Sequence, residues 1–154
     1  MSYVAKVLQP GETVRYVTGL HWFVYLHAIG FAILAIGAVV LALQLIDPTG
    51  QLAALVLAAA LALAAAIAWL RGFIQRRTTE IAVTDRRIIY KRGLLRRDTV
   101  EMNMSKVESV NVDQSIAGRI FGYGTVTIHG TGGDLEPMRN IAAPIRFRNH
   151  VTAA

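Results

Sequence analysis

From Trp22 to Leu70 the chain is apolar almost without interruption. Two runs, Trp22 to Ile46 and Leu52 to Leu70, are separated only by Asp47-Pro-Thr-Gly-Gln51, and no Lys, Arg or Glu falls inside them. Each run reaches the roughly 18 residues that a helix needs to cross a hydrocarbon core of about 30 Å. A helix of a water-soluble protein keeps one polar face, whereas these runs are apolar on every face. The pattern predicts a transmembrane helical hairpin over 20–71, and every other segment is placed by it.

After Arg77 the period changes from helical to two-residue alternation. Thr79, Ile81 and Val83 fall on one face of a strand ending at Thr84, Asp85-Arg86 makes a turn, and a second strand covers Arg87 to Lys91. Gly93 reverses the chain into a third alternating stretch over Leu95 to Met104. Further strands are predicted over Lys106 to Val112, Tyr123 to His129 and, more weakly, Leu135 to Ile141, with glycine-bearing turns between them. Pro144 suits the first position of a terminal helix running to Val151. Short strands followed by one helix predict a small antiparallel barrel or sandwich. The fold class is therefore α+β, with a short segment over 1–19, the hairpin over 20–71 and a β-rich domain over 72–154. Within the first segment Gln9-Pro-Gly-Glu12 reads as a turn and Thr13 to Thr18 as a short strand. No charged n-region precedes the first apolar run, which is also too long for a signal peptide, so the hairpin reads as a retained anchor.

Charge gives the hairpin a direction. Of the 16 basic residues, Arg71, Arg76, Arg77, Arg86, Arg87, Lys91, Arg92, Arg96 and Arg97 follow the second run in one block. The loop Asp47 to Gln51 has none, while Lys6 and Arg15 precede the first run. The positive-inside rule then predicts both termini on the cytoplasmic side of the membrane, with the short loop outside. The same rule, with the anionic inner leaflet, accounts for the net charge of +6 without a nucleic-acid partner. Trp22, Tyr25 and Trp69 fall where interfacial aromatic anchors are common.

Ala54, Ala58, Ala62 and Ala66 recur at four-residue spacing in the second run, and Gly30 and Gly37 offer a small face on the first. Small residues let helix backbones approach closely in lipid. These faces are expected either to close the hairpin on itself or to bind further protomers.

Five features stand in order along the chain: Leu8-Gln-Pro-Gly-Glu12, the apolar hairpin, Thr78-Thr-Glu-Ile-Ala-Val-Thr-Asp-Arg-Arg-Ile-Ile-Tyr-Lys-Arg-Gly93, Ser105-Lys-Val-Glu-Ser-Val-Asn-Val112 and Gly118-Arg-Ile-Phe-Gly-Tyr-Gly-Thr-Val126. Together they resemble the YdbS-like bacterial membrane proteins with pleckstrin-homology-like (PH-like) domains. The resemblance implies two roughly orthogonal antiparallel sheets closed by a C-terminal helix, carried at the cytoplasmic membrane face. The last helix, from about Pro144 to Thr152, is short for such a cap, which suggests a groove beside it. Eukaryotic PH domains place cationic side chains around their first hairpin, which singles out Arg76, Arg77, Arg86, Arg87, Lys91 and Arg92 as candidate headgroup contacts.

Enzyme chemistry finds little footing. The chain has no cysteine, and His21, His27, His129 and His150 are scattered without acids at ligand spacing. Asp98 with Glu101, and Glu108 with Asp113, read as solvent-facing strand positions rather than a catalytic pair. His129-Gly-Thr-Gly-Gly-Asp134 lacks the lysine and the strand-to-helix context of a phosphate loop and reads as a hairpin turn. No metal or cofactor is expected. Three functions follow: a non-enzymatic interaction module that self-assembles or docks onto a larger membrane complex, an anionic-lipid-binding module, and a small oligomeric pore or transporter. The pore is the weakest, because His27 and Gln44 are the main polar groups in the spans.

Overall fold

The computed structural model describes Val4 and residues 7–93 and 98–153. Lys6, Arg96, Arg97 and the start of the strand expected from Leu95 lie outside the described residues. The chain divides into two units, a helical one over Val24–Ile74 and a β-rich one that joins the residues before it to those after it.

In the helical unit, α1 spans Leu26–Gln44 and α2 spans Pro48–Thr78. Both are long and apolar enough to cross a bilayer. The second starts earlier than its apolar run, because Asp47-Pro48 is a helix-starting pair. Asp47 Oδ2 accepts from the Gly50 N–H at 2.7 Å, and proline at the first position gives up an N–H that would have no partner. The break between the helices shrinks to Leu45, Ile46 and Asp47. Asp47→Ala is expected to cost the α2 terminus about 1 kcal/mol, read as faster amide exchange at Thr49 to Gln51 with no change in the β-rich unit.

The helices meet along an alanine seam. Ala28, Ala35, Ala38 and Ala42 are buried on α1, and Ala54 and Ala58 on α2. The α2 seam then continues through half-buried Leu61, Ala65 and Ala68 to buried Gly72. Those steps alternate four and three residues, the average of 3.5 that keeps one face toward a partner. A strict four-residue stripe instead drifts by about 40° per step. Ala62 and Ala66 accordingly leave the seam and are exposed. Gly30 and Gly37 do not line it either: each lies two positions beyond a seam alanine, about 200° round the helix, and a Cβ there would touch nothing. The close approach made by a glycine is at Gly72, where a Cβ would come to 3.0 Å from the Tyr25 ring. Outside the seam the large side chains are bare, with Leu43 75% and Leu63 64% exposed.

The β-rich unit contains β1 (Val14–Thr18), β2 (Glu80–Thr84), β3 (Arg87–Arg92) and β4 (Asp98–Asn103) in one antiparallel sheet. A second antiparallel sheet holds β5 (Val107–Asp113), β6 (Tyr123–Gly130) and β7 (Met138–Ala142). Helix α3 (Ile116–Phe121) joins β5 to β6, and α4 (Pro144–Thr152) ends the chain. The segment before the hairpin is thus not a separate appendage: its strand β1 pairs with β2, Val14 opposite Thr84 and Thr18 opposite Ile81. The helical hairpin is an insertion between the first and second strands of a single sheet. Beyond β1 the chain crosses to the other sheet, where Leu20 bridges Ile141 and the His21 N–H donates to Asn140 O at 2.7 Å.

Ile81, Val83, Ile88 and Tyr90 face Val126, Ile128, Met138 and Ile141 across the core, and α4 inserts Phe147 and Val151 between them. The first hairpin is buried on both faces, because Ala82 and Ile89 pack under Val4 on the other side. That explains its unbroken apolar character at Ile88-Ile89-Tyr90.

Candidate functional site

The best-organised polar cluster of the β-rich unit joins two segments far apart in sequence. Pro10-Gly11 forms a tight turn, closed by the Glu12 N–H to Gln9 O at 3.0 Å, with Gly11 at φ 79°. The turn carries the Glu12 carboxylate inward, where its side chain is fully buried. Arg87, at the start of β3, grips it with two prongs: Nε donates to Oε1 at 2.9 Å and Nη2 to Oε2 at 2.8 Å. The Gln9 N–H and the Thr84 hydroxyl supply two more donors, at 2.9 and 2.8 Å. Arg87 directs two further N–H groups to Glu101 Oε2 at 2.7 Å and Val7 O at 2.9 Å. Its grip, helped by the Gln9 amide and the Thr84 hydroxyl and opposed by burial, lowers the Glu12 pKa from 4.5 to about 2.

This corrects two expectations. Arg87 is not placed as a headgroup contact, because its side chain is 11% exposed and its guanidinium is bonded to Glu12, Glu101 and Val7. Glu101 is not merely a solvent-facing strand residue, since it completes the Arg87 pair.

The remaining candidates separate along β3. Arg86 sits exposed at the Asp85-Arg86 turn, while Lys91 and Arg92 lie at the other end of the strand, about 16 Å away. Lys91 is opposite Glu80, two residues after α2 ends, so Arg76 and Arg77 belong to that same end. Arg92 pairs loosely with Glu136 at 3.7 Å, both side chains well exposed. The six-residue basic group is therefore an end cluster of Arg76, Arg77, Lys91 and Arg92, with Arg86 apart from it.

Other sequence candidates resolve as structure. His129 pairs with Asp134 at 3.0 Å across the β6–β7 turn, setting an acid where a phosphate would have to bind. His21 packs on the Tyr123 ring. Among the described residues no group of three His, Cys, Asp or Glu is arranged to hold a metal. A shallow groove of about 280 Å³ lies beside the C-terminal end of α4, lined by Met104, Val107, Val110 and Val151 with Glu108, where the short last helix led one to expect it. A second, of about 300 Å³, runs between β4 and the β6–β7 turn and carries Glu101 and Asp134.

Glycine requirements in this unit were only partly legible. Gly122 ends α3 at φ 78°, as a strand entry demands. Gly118 and Gly124 are set by crowding: a Cβ would meet Tyr123 O at 2.6 Å from the first and Asp113 O at 2.8 Å from the second.

Four strands packed against three, with a C-terminal helix plugging the space between the sheets, define a PH-like domain. A family profile described as the bacterial PH domain matches residues 22–154, and the chain belongs to that family. The match takes in both apolar helices and begins after β1. No curated protein and no solved structure matches the chain.

Proposed function

We propose that this chain is a non-enzymatic, membrane-anchored PH-like interaction module, which self-assembles or docks onto a larger membrane complex at the cytoplasmic face. The observation that carries the reading is the insertion of the apolar hairpin between β1 and β2. Both ends of the anchor enter one folded unit, so both lie on one side of any bilayer the hairpin crosses. The basic residues at the α2 end, and the lack of any Lys or Arg at Leu45-Ile46-Asp47-Pro48, favour the cytoplasm for that unit. The outward positions of Gly30, Gly37, Ala62 and Ala66 leave small-residue faces for neighbouring helices, since the hairpin closes on other alanines.

A second reading, binding of anionic lipid, is favoured by the end cluster Arg76, Arg77, Lys91 and Arg92. Each cation near an anionic surface is worth about 1 kcal/mol, enough together for retention but not for stereospecific recognition.

Mass measurement on full-length protein extracted from native membranes separates the two. A multiple of the 16.8 kDa chain mass, or a co-purifying protein, is the expected outcome. A bare monomer overturns the interaction reading. Retained phosphatidylglycerol or cardiolipin that disappears in an Arg76→Glu, Arg77→Glu variant supports the lipid reading, and retention unchanged by that variant removes it.

A further inference from the structure

Helix α3 is built inside out. Its inner face is Gly118, whose missing side chain lets the helix lie against the Tyr123 carbonyl. Its outer face carries Ile116 and Ile120, one turn apart, and then Phe121. Ile116 is 81% and Ile120 74% exposed, as bare as the outer side chains of the apolar hairpin. Rotating the helix to bury them is blocked, because no residue larger than glycine fits at the contact.

The helix is also held firmly. The Ser115 hydroxyl accepts from the Gly118 N–H at 3.1 Å at one end, and Gly122 closes the other. Gln114 Nε2 bridges to Gly118 O at 3.2 Å and Tyr123 O at 2.9 Å. A polar network thus fixes an apolar ridge outward.

Where the ridge lies says what covers it. The Phe121 ring meets the Trp22 ring edge-on at 5.9 Å, and Trp22 is 41% exposed. Trp22 is the residue at which the chain enters its first apolar helical stretch. The ridge therefore sits at the level where the chain passes into the apolar segment. Its one charge is Arg119, exposed, and no Asp or Glu occurs between Asp113 and Asp134. A bulky apolar face beside a cation and an aromatic residue matches the chemistry of the headgroup–acyl boundary of an anionic bilayer.

We propose that α3 lies in that boundary, Ile116, Ile120 and Phe121 reaching the upper acyl chains and Arg119 the lipid phosphates, as a third membrane contact beside the two helices. The assignment rests on the anchored reading above. It gives the β-rich unit a membrane contact of its own, in addition to the chain's passage into and out of the apolar hairpin.

The absence of cysteine makes the test direct. Single cysteines at Ile120, Ile36 and Ser105 of the full chain are spin-labelled in phosphatidylethanolamine–phosphatidylglycerol vesicles, and collision with oxygen is compared with collision with a water-soluble nickel chelate. Ile120→Cys is expected to favour oxygen several-fold, as Ile36→Cys does in mid-hairpin, while Ser105→Cys favours nickel. Nickel preference at Ile120 with oxygen preference at Ile36 overturns the proposal and leaves the anchor intact. Suppression of both collisions at Ile120 assigns the ridge to a protein partner and also overturns it. Nickel preference at Ile36 overturns the anchored reading itself.

Discussion

Glu12→Ala is expected to destabilise the β-rich unit by about 3 kcal/mol, near the lower end of what removal of one partner from a buried ion pair costs. Most of that loss comes from what remains: Arg87 would keep a positive charge in a site where its side chain is 11% exposed. Glu101, at 2.7 Å, moderates the cost by holding one prong. The variant also loses the acceptor for the Gln9 amide, so the turn that starts β1 loosens at the same time. Thermal unfolding of the full chain in mild detergent checks the figure. The double variant Glu12→Ala, Arg87→Met should lose less than the sum of its single variants, because it leaves no charge stranded. Acid provides an independent readout. The carboxylate is held down to about 2 in the fold against an ordinary 4.5. Its contribution is complete above pH 4.5 and drains away as pH falls from there toward 2. Glu12→Ala should flatten that part of the stability profile.

Phe147→Ala should be at least as damaging, at about 3–5 kcal/mol. Phe147 is fully buried among residues of both sheets, and α4 packs on β5, β6, β1 and β2 through it. A short helix has few other anchors, Val151 and Pro144 being its remaining buried side chains. Near-ultraviolet circular dichroism should lose its fixed aromatic signal well before the far-ultraviolet helical signal of the hairpin weakens. Simultaneous loss of both signals would show that the two units do not unfold independently.

Much of this arrangement is legible in the order of residues. The hairpin follows from the length and uniformity of its apolar runs, and the strands after it from local alternation and glycine turns, with most described bounds displaced by one residue and the start of the last strand moved from Leu135 to Met138. What local reading missed depends on contacts between distant segments. Nothing near Val14 indicates that its partner lies beyond the hairpin at Thr84. Arg87 reads as a surface cation because Glu12 is 75 positions away. Ile88-Ile89-Tyr90 hints at the answer, since a strand buried on both faces gives an adjoining charge little access to water. The α1–α2 seam escaped the four-residue alanine stripe because packed helices select an average step of 3.5. Helix α3 gave no periodic signal: six residues are too few, and its apolar side chains point the unexpected way.

The place of the hairpin within the sheet has a consequence for biosynthesis. Strand β1 leaves the ribosome first, yet its hydrogen-bonding partner follows only after both apolar helices have been made. No nascent chain that stops short of β2 can satisfy it. The carboxylate of Glu12 likewise waits for Arg87. Completion of the first sheet is therefore a late event that records the order of synthesis, and on the anchored reading a chain whose β1 and β2 were left on opposite sides of a bilayer could never bring them together.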